Sequence, residues 1–61
     1  MNLYHCKTIP QRKIGEWLMS KGITRDDIAR VELLDHSTVK LENTVGMYLT
    51  VRWANGQAVL I

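Results

Sequence analysis

The chain has 61 residues, 46% of them apolar and 23% charged, with a formal net charge of +2. That make-up describes one small domain and excludes several cores, an acidic disordered tail or a low-complexity linker. One cysteine excludes an internal disulfide, and no apolar run suits a signal peptide or membrane span, so a reducing, cytoplasmic setting without membrane contact is expected.

Residues 2–9 (NLYHCKTI) alternate loosely and allow a short edge strand. A helix is expected over about 10–21. Thr8 and Gln11 have capping-box spacing, Pro10 sits in the first turn, and Ile14, Trp17, Leu18 and Lys21 fall on one face. Gly22 suits the left-handed residue beyond the helix, with Ile23 folding back in a Schellman motif.

Residues 22–41 support two readings. As strands, Val31 and Leu33 share one face with Val39 and Leu41, and Asp35-His36-Ser37 makes the turn between them. Asn43-Thr44-Val45-Gly46 turns again into an alternating strand in which Leu49, Val51 and Trp53 face inward. Asn55-Gly56 has the composition of a type I′ turn, and Ala58–Ile61 returns as a last strand. The result is an α+β fold: one N-terminal helix on an antiparallel β-meander of strands at about 29–34, 37–42, 47–53 and 58–61. Its core would comprise Ile14, Trp17, Leu18, Ile23, Val31, Leu33, Val39, Leu41, Leu49, Val51, Trp53 and Val59. Truncating Trp17 or Trp53 to alanine would then cost roughly 3–5 kcal/mol.

As helices, Thr24 and Asp27 give a helix start. The run Ile28-Ala29-Arg30, then Leu34-Asp35-His36-Ser37-Thr38-Val39, resembles the helix-turn-helix stretch of MarR-type and LuxR-type regulators. The resemblance covers about 20 residues. It implies a small winged helix-turn-helix with His36, Ser37, Thr38 and Lys40 near the major groove and Arg52 on the wing. The strand reading is the more consistent across the chain, because it turns Glu32 outward where the helical reading buries it.

Residues 1–21 carry Lys7, Arg12, Lys13 and Lys21 against Glu16, while residues 22–61 carry four basic and five acidic side chains. A basic front end on a mildly acidic body suits a phosphate backbone or an acidic protein face, although charged helix surfaces are also simply solvated. The expected binding residues for nucleic acid, DNA or RNA, are therefore Lys7, Arg12, Lys13, Lys21, Lys40 and Arg52. Tyr48, or Tyr4, would offer a stacking face. The rival is a protein-binding accessory or inhibitor, of the kind phages encode, that occludes a larger protein.

Catalysis has little support. His5 and Cys6 would point to opposite sides of a strand, and His5, Cys6, Asp35 and His36 lack zinc spacing. Asp26-Asp27 suits a helix N-terminus better than a cation site. No phosphate-binding glycine loop or nucleophile elbow occurs, so no enzyme activity, metal or cofactor is expected. The apolar last strand would leave an unpaired edge through which two copies could dimerise.

Overall fold

The computed structural model describes residues 3–61. One helix, α1 (Ile9–Ser20), precedes a single 3₁₀ turn (Arg25–Asp27) and four strands, β1 (Ile28–Asp35), β2 (Thr38–Asn43), β3 (Tyr48–Ala54) and β4 (Gln57–Leu60). The strands pair antiparallel in the order β1-β2-β3-β4, and α1 packs across β2 and β3. This is the α+β meander, with residues 28–35 and 38–43 in strands where a helix-turn-helix needs helices. Residues 3–8 form bends and irregular chain, so the edge strand expected there is absent among the described residues; Asn2 lies outside them.

Local chemistry explains each boundary. Thr8 is extended, and its hydroxyl accepts from the Gln11 N–H at 3.2 Å, as the helix start requires. At the other end, Ile23 N–H reaches the Leu18 carbonyl at 3.2 Å and Gly22 N–H reaches that of Met19 at 3.0 Å. Gly22 has φ +87°, completing the Schellman motif. The Thr24 start signal is real but short-lived: Thr24 N–H donates to Asp27 Oδ2 at 2.8 Å, and the helix stops after one 3₁₀ turn. The β-branched and apolar residues from Ile28 onward gain more from the sheet than from another helical turn.

Both short loops of β1–β3 rest on side chains that mimic the backbone. Asp35 Oδ1 accepts from Ser37 N–H at 2.9 Å, and Asn43 Oδ1 accepts from Val45 and Met47 N–H at 3.0 and 2.9 Å. Asn55 and Gly56 both have positive φ, 54° and 74°, the requirement of a type I′ hairpin.

Ile14, Leu18, Val39 and Val51 are fully buried, with Leu3 and Leu41 nearly so. Trp17 and Trp53 only flank this cluster, half-buried, so the centre of the core is aliphatic and not aromatic. Val59 is also displaced from the expected core. The two-residue turn pairs Trp53 with Ala58 and Arg52 with Val59, which puts Val59 on the sheet face away from the helix. Alternation with Leu33, which packs against the core, likewise turns Leu34 to the exposed face.

Candidate functional site

Gln11 ties the helix to the sheet. Its side chain is buried, and its Nε2 donates to the Asp35 carbonyl at 2.8 Å while its Oε1 accepts from Lys7 N–H at 2.9 Å. Thr8 adds a hydroxyl bond to the His36 carbonyl at 2.6 Å, and the Tyr4 hydroxyl donates to the Gln11 carbonyl at 2.6 Å. The first turn of α1 is thereby clamped onto the β1–β2 turn. Burial pushes the Tyr4 phenol well above its ordinary range.

This clamp fixes which surfaces are free. The sheet face under α1 is filled, so binding falls to three places: the solvent side of α1, the uncovered sheet face and the open end of the sheet near the 3₁₀ turn.

On α1, Arg12 Nε lies 3.4 Å and Lys13 Nζ 3.9 Å from Glu16, both as exposed helical pairs. Lys7 is exposed just before the helix, and Lys21 closes it with its ammonium 5.7 Å from the Trp17 ring centre. These four residues therefore occupy the helix side of the molecule.

Lys40 and Arg52 alternate with the core residues Val39, Leu41 and Val51, and thus emerge on the opposite face. Lys40 Nζ sits 4.7 Å from the Tyr48 ring centre. Arg30, which sequence reasoning passed over, joins them there: it pairs with Glu42 across β1 and β2, just as Glu32 pairs with Lys40. Its place in the alternation beside Glu32 was the available signal. Arg52 lies near Asp35, whose carboxyl is held below the usual range chiefly by the Ser37 N–H, then by the Thr38 hydroxyl and more weakly by Arg52. The Thr38 hydroxyl is close enough to bias Asp35, yet it is buried without a partner in hydrogen-bond geometry.

The expected binding residues thus divide between two opposite faces, and most of the cations have a carboxylate as neighbour. Arg12 and Lys13 share Glu16, Lys40 lies across from Glu32, and Arg52 lies near Asp35. Lys40 and Tyr48 are brought into direct contact.

The open end of the sheet holds a feature with no counterpart in the sequence reading. Ile23, Ile28, Leu41, Met47, Tyr48 and Leu49 line a groove of about 440 Å³ between the 3₁₀ turn and the β2–β3 loop. Asp27 and Glu42 are the charged residues of its lining, and among the described residues no cation lines it. Met47 and Val45 at the loop are 67% and 78% exposed, an unusual position for apolar side chains in a turn. The groove escapes a linear reading because its walls come from four separate segments.

Cys6 is partly buried, its thiol donates to the Tyr4 carbonyl at 3.5 Å, and burial pushes its pKa up. His5 is exposed beside it. Among the described residues, no three His, Cys, Asp or Glu side chains converge as a metal site, and no helix is long and apolar enough to cross a membrane.

No protein-family model, curated protein or solved structure matches this chain.

Proposed function

We propose that this chain is a non-enzymatic binding module whose principal partner is a protein, held at the groove between the 3₁₀ turn and the β2–β3 loop. One observation carries the reading: an apolar groove whose lining includes the exposed Met47 and, among the described residues, carboxylates but no cation. Its chemistry selects a segment with a large apolar side chain beside a lysine or arginine. The apolar group fills the groove, and the cation meets Asp27 and Glu42. A module of this size would act by covering its partner's surface. Cys6 fits a non-catalytic role, because a thiol pushed above its ordinary pKa carries less of the nucleophilic thiolate.

A second reading is nucleic-acid binding in a regulatory role. Lys40, stacked on Tyr48, shares the uncovered sheet face with Arg30 and Arg52, an arrangement suited to phosphate contacts beside a stacking ring. Lys7, Arg12, Lys13 and Lys21 would supply further phosphate contacts from the helix side. The carboxylates among these cations favour the protein reading, since they repel the phosphates the cations attract. The β4 edge adds an unpaired strand open to another chain.

Two titrations separate the readings. Labelled duplex DNA and structured RNA are titrated at several salt concentrations, and ¹⁵N-labelled protein is titrated with a capped Lys-Leu-Leu-Lys peptide and its Glu-Leu-Leu-Glu counterpart. The protein reading expects shifts at Ile23, Ile28, Met47 and Leu49 with the basic peptide alone, abolished by Met47→Lys, and weak nucleic-acid binding. Tight nucleic-acid binding whose log K falls with log salt at a slope of roughly −3 to −4, together with an inert groove, overturns it in favour of the second.

A further inference from the structure

We propose that two copies of this chain pair edge to edge through β4, forming a continuous eight-stranded antiparallel sheet. The seam lies outside the groove and is independent of it.

The two edges of the sheet are built differently. β1 carries Arg30, Glu32 and Asp35 and is broken by register shifts between Ile28 and Arg30 and between Leu33 and Asp35. Charges and bulges of this kind keep a strand edge from pairing with another chain. β4 and the residue after it, Gln57-Ala58-Val59-Leu60-Ile61, have no charged side chain, no proline and no register shift. Leu60 and Ile61 are 60% and 65% exposed. This edge lacks the features that block pairing.

The direction of its free backbone groups follows from the hairpin. Gln57 pairs with Ala54 across the two-residue turn, and Ile61 N–H donates to the Thr50 carbonyl at 3.0 Å. Alternation then turns the N–H and C=O groups of residues 57, 59 and 61 toward β3, and those of Ala58 and Leu60 outward. An antiparallel copy can satisfy both outward residues at once, with Ala58 opposite the second copy's Leu60 and Leu60 opposite its Ala58. Each such pair exchanges both of its N–H···O=C bonds, and the two-fold axis passes through Val59.

The side chains agree with this register. Ala58 and Leu60 face the helix side, opposite Trp53 and Val51 respectively. Pairing therefore sets each exposed Leu60 against the small Ala58 of the other copy, next to its half-buried Trp53. Val59 meets its symmetry mate on the other face, covering a second exposed apolar residue. A shift by one residue would aim the N–H groups of residues already bound to β3 at the seam, so the register is selected by the backbone itself. A seam this short buries less than the roughly 1,200 Å² of a standard interface, so a reversible dimer in the micromolar to millimolar range follows.

Sedimentation velocity of the full chain, from low micromolar to millimolar concentration, tests the proposal alongside a cross-link. In a Cys6→Ser background, Val59→Cys places two sulfurs at the axis, where directly opposed Cβ atoms lie about 4.5–5.5 Å apart. Mild oxidation is expected to give a disulfide-linked dimer, whereas Arg52→Cys, one strand inward, gives none. Val59→Lys, which sets like charges directly opposite each other at the axis, and Leu60→Lys, which replaces the apolar contact on the other copy's Ala58 with a charge, are each expected to weaken association by about tenfold or more. Their circular dichroism should be unchanged, since Leu60 is largely exposed and Val59 lies outside the buried core. A mass that stays monomeric at millimolar concentration overturns the proposal, as does a dimer indifferent to both lysine variants. Neither result touches the groove, which Met47→Lys probes separately.

Discussion

Gln11 gives the sharpest test of how this small fold is held together. It is 3% exposed, and its side-chain amide satisfies two backbone groups from distant parts of the chain, the Asp35 carbonyl and the Lys7 N–H. Gln11→Ala leaves both without that partner. Orphaning a buried polar group costs about 1–3 kcal/mol, and these two are only partly buried, so water recovers some of it. With the lost packing of the side-chain stem at about 0.8 kcal/mol per methylene, the total is roughly 2–4 kcal/mol. A domain of this length has on the order of 3–9 kcal/mol in all. Thermal unfolding by circular dichroism should then fall by roughly 10–30 °C. Gln11→Glu separates the hydrogen bond from the volume. The carboxylate still accepts from Lys7 N–H but cannot donate to the Asp35 carbonyl, and it places a negative charge against that oxygen. Its folded pKa is therefore raised, so the deficit relative to the parent is full above that pKa and shrinks as pH falls through it. A Gln11→Ala loss below about 0.5 kcal/mol, or a Gln11→Glu deficit independent of pH, would refute the clamp.

Three further outcomes follow from the packing and turns. Ile14→Ala or Leu18→Ala should cost about 2–5 kcal/mol by denaturant unfolding, and Trp17→Ala less than either, because the tryptophan flanks the buried cluster. Asp35 has a lowered folded pKa, so its contribution is present above the unfolded carboxylate value near 3.9 and is lost as pH falls through the folded value. Asp35→Asn removes the ionised carboxylate, so it should lower the melting temperature at neutral pH and flatten its acid limb between about pH 2 and 5. Gly56→Ala meets no steric obstacle, yet φ at +74° strains any side-chain-bearing residue. About 1–2 kcal/mol of destabilisation is expected, read by chemical denaturation.

Several elements were legible in the sequence because their causes are local. Thr8, Pro10 and Gly22 mark the ends of α1 by satisfying or sparing its own terminal backbone groups. Asn55-Gly56 specifies its turn through φ alone, and the alternation around Leu49, Val51 and Trp53 is a property of one strand. Residues 24–45 were harder, since Thr24 and Asp27 make a genuine helix start that propensity alone cannot continue or cancel. Only pairing of Val31 with Leu41 and Leu33 with Val39 decides for strands. The place of Val59 was within reach of the sequence, because a two-residue turn that pairs Trp53 with Ala58 must set Val59 opposite Arg52.

By itself, then, the sequence determined the helix with its caps, the turns and the α+β class, each from interactions that span a few residues. The tertiary structure decided the rest: that Gln11 bridges Lys7 and Asp35, that the basic residues part onto opposite faces, and that an acid-lined apolar groove opens between the 3₁₀ turn and the β2–β3 loop. Each of these depends on which distant segments the sheet order brings side by side, and pairing across the sheet is a property of two strands at once.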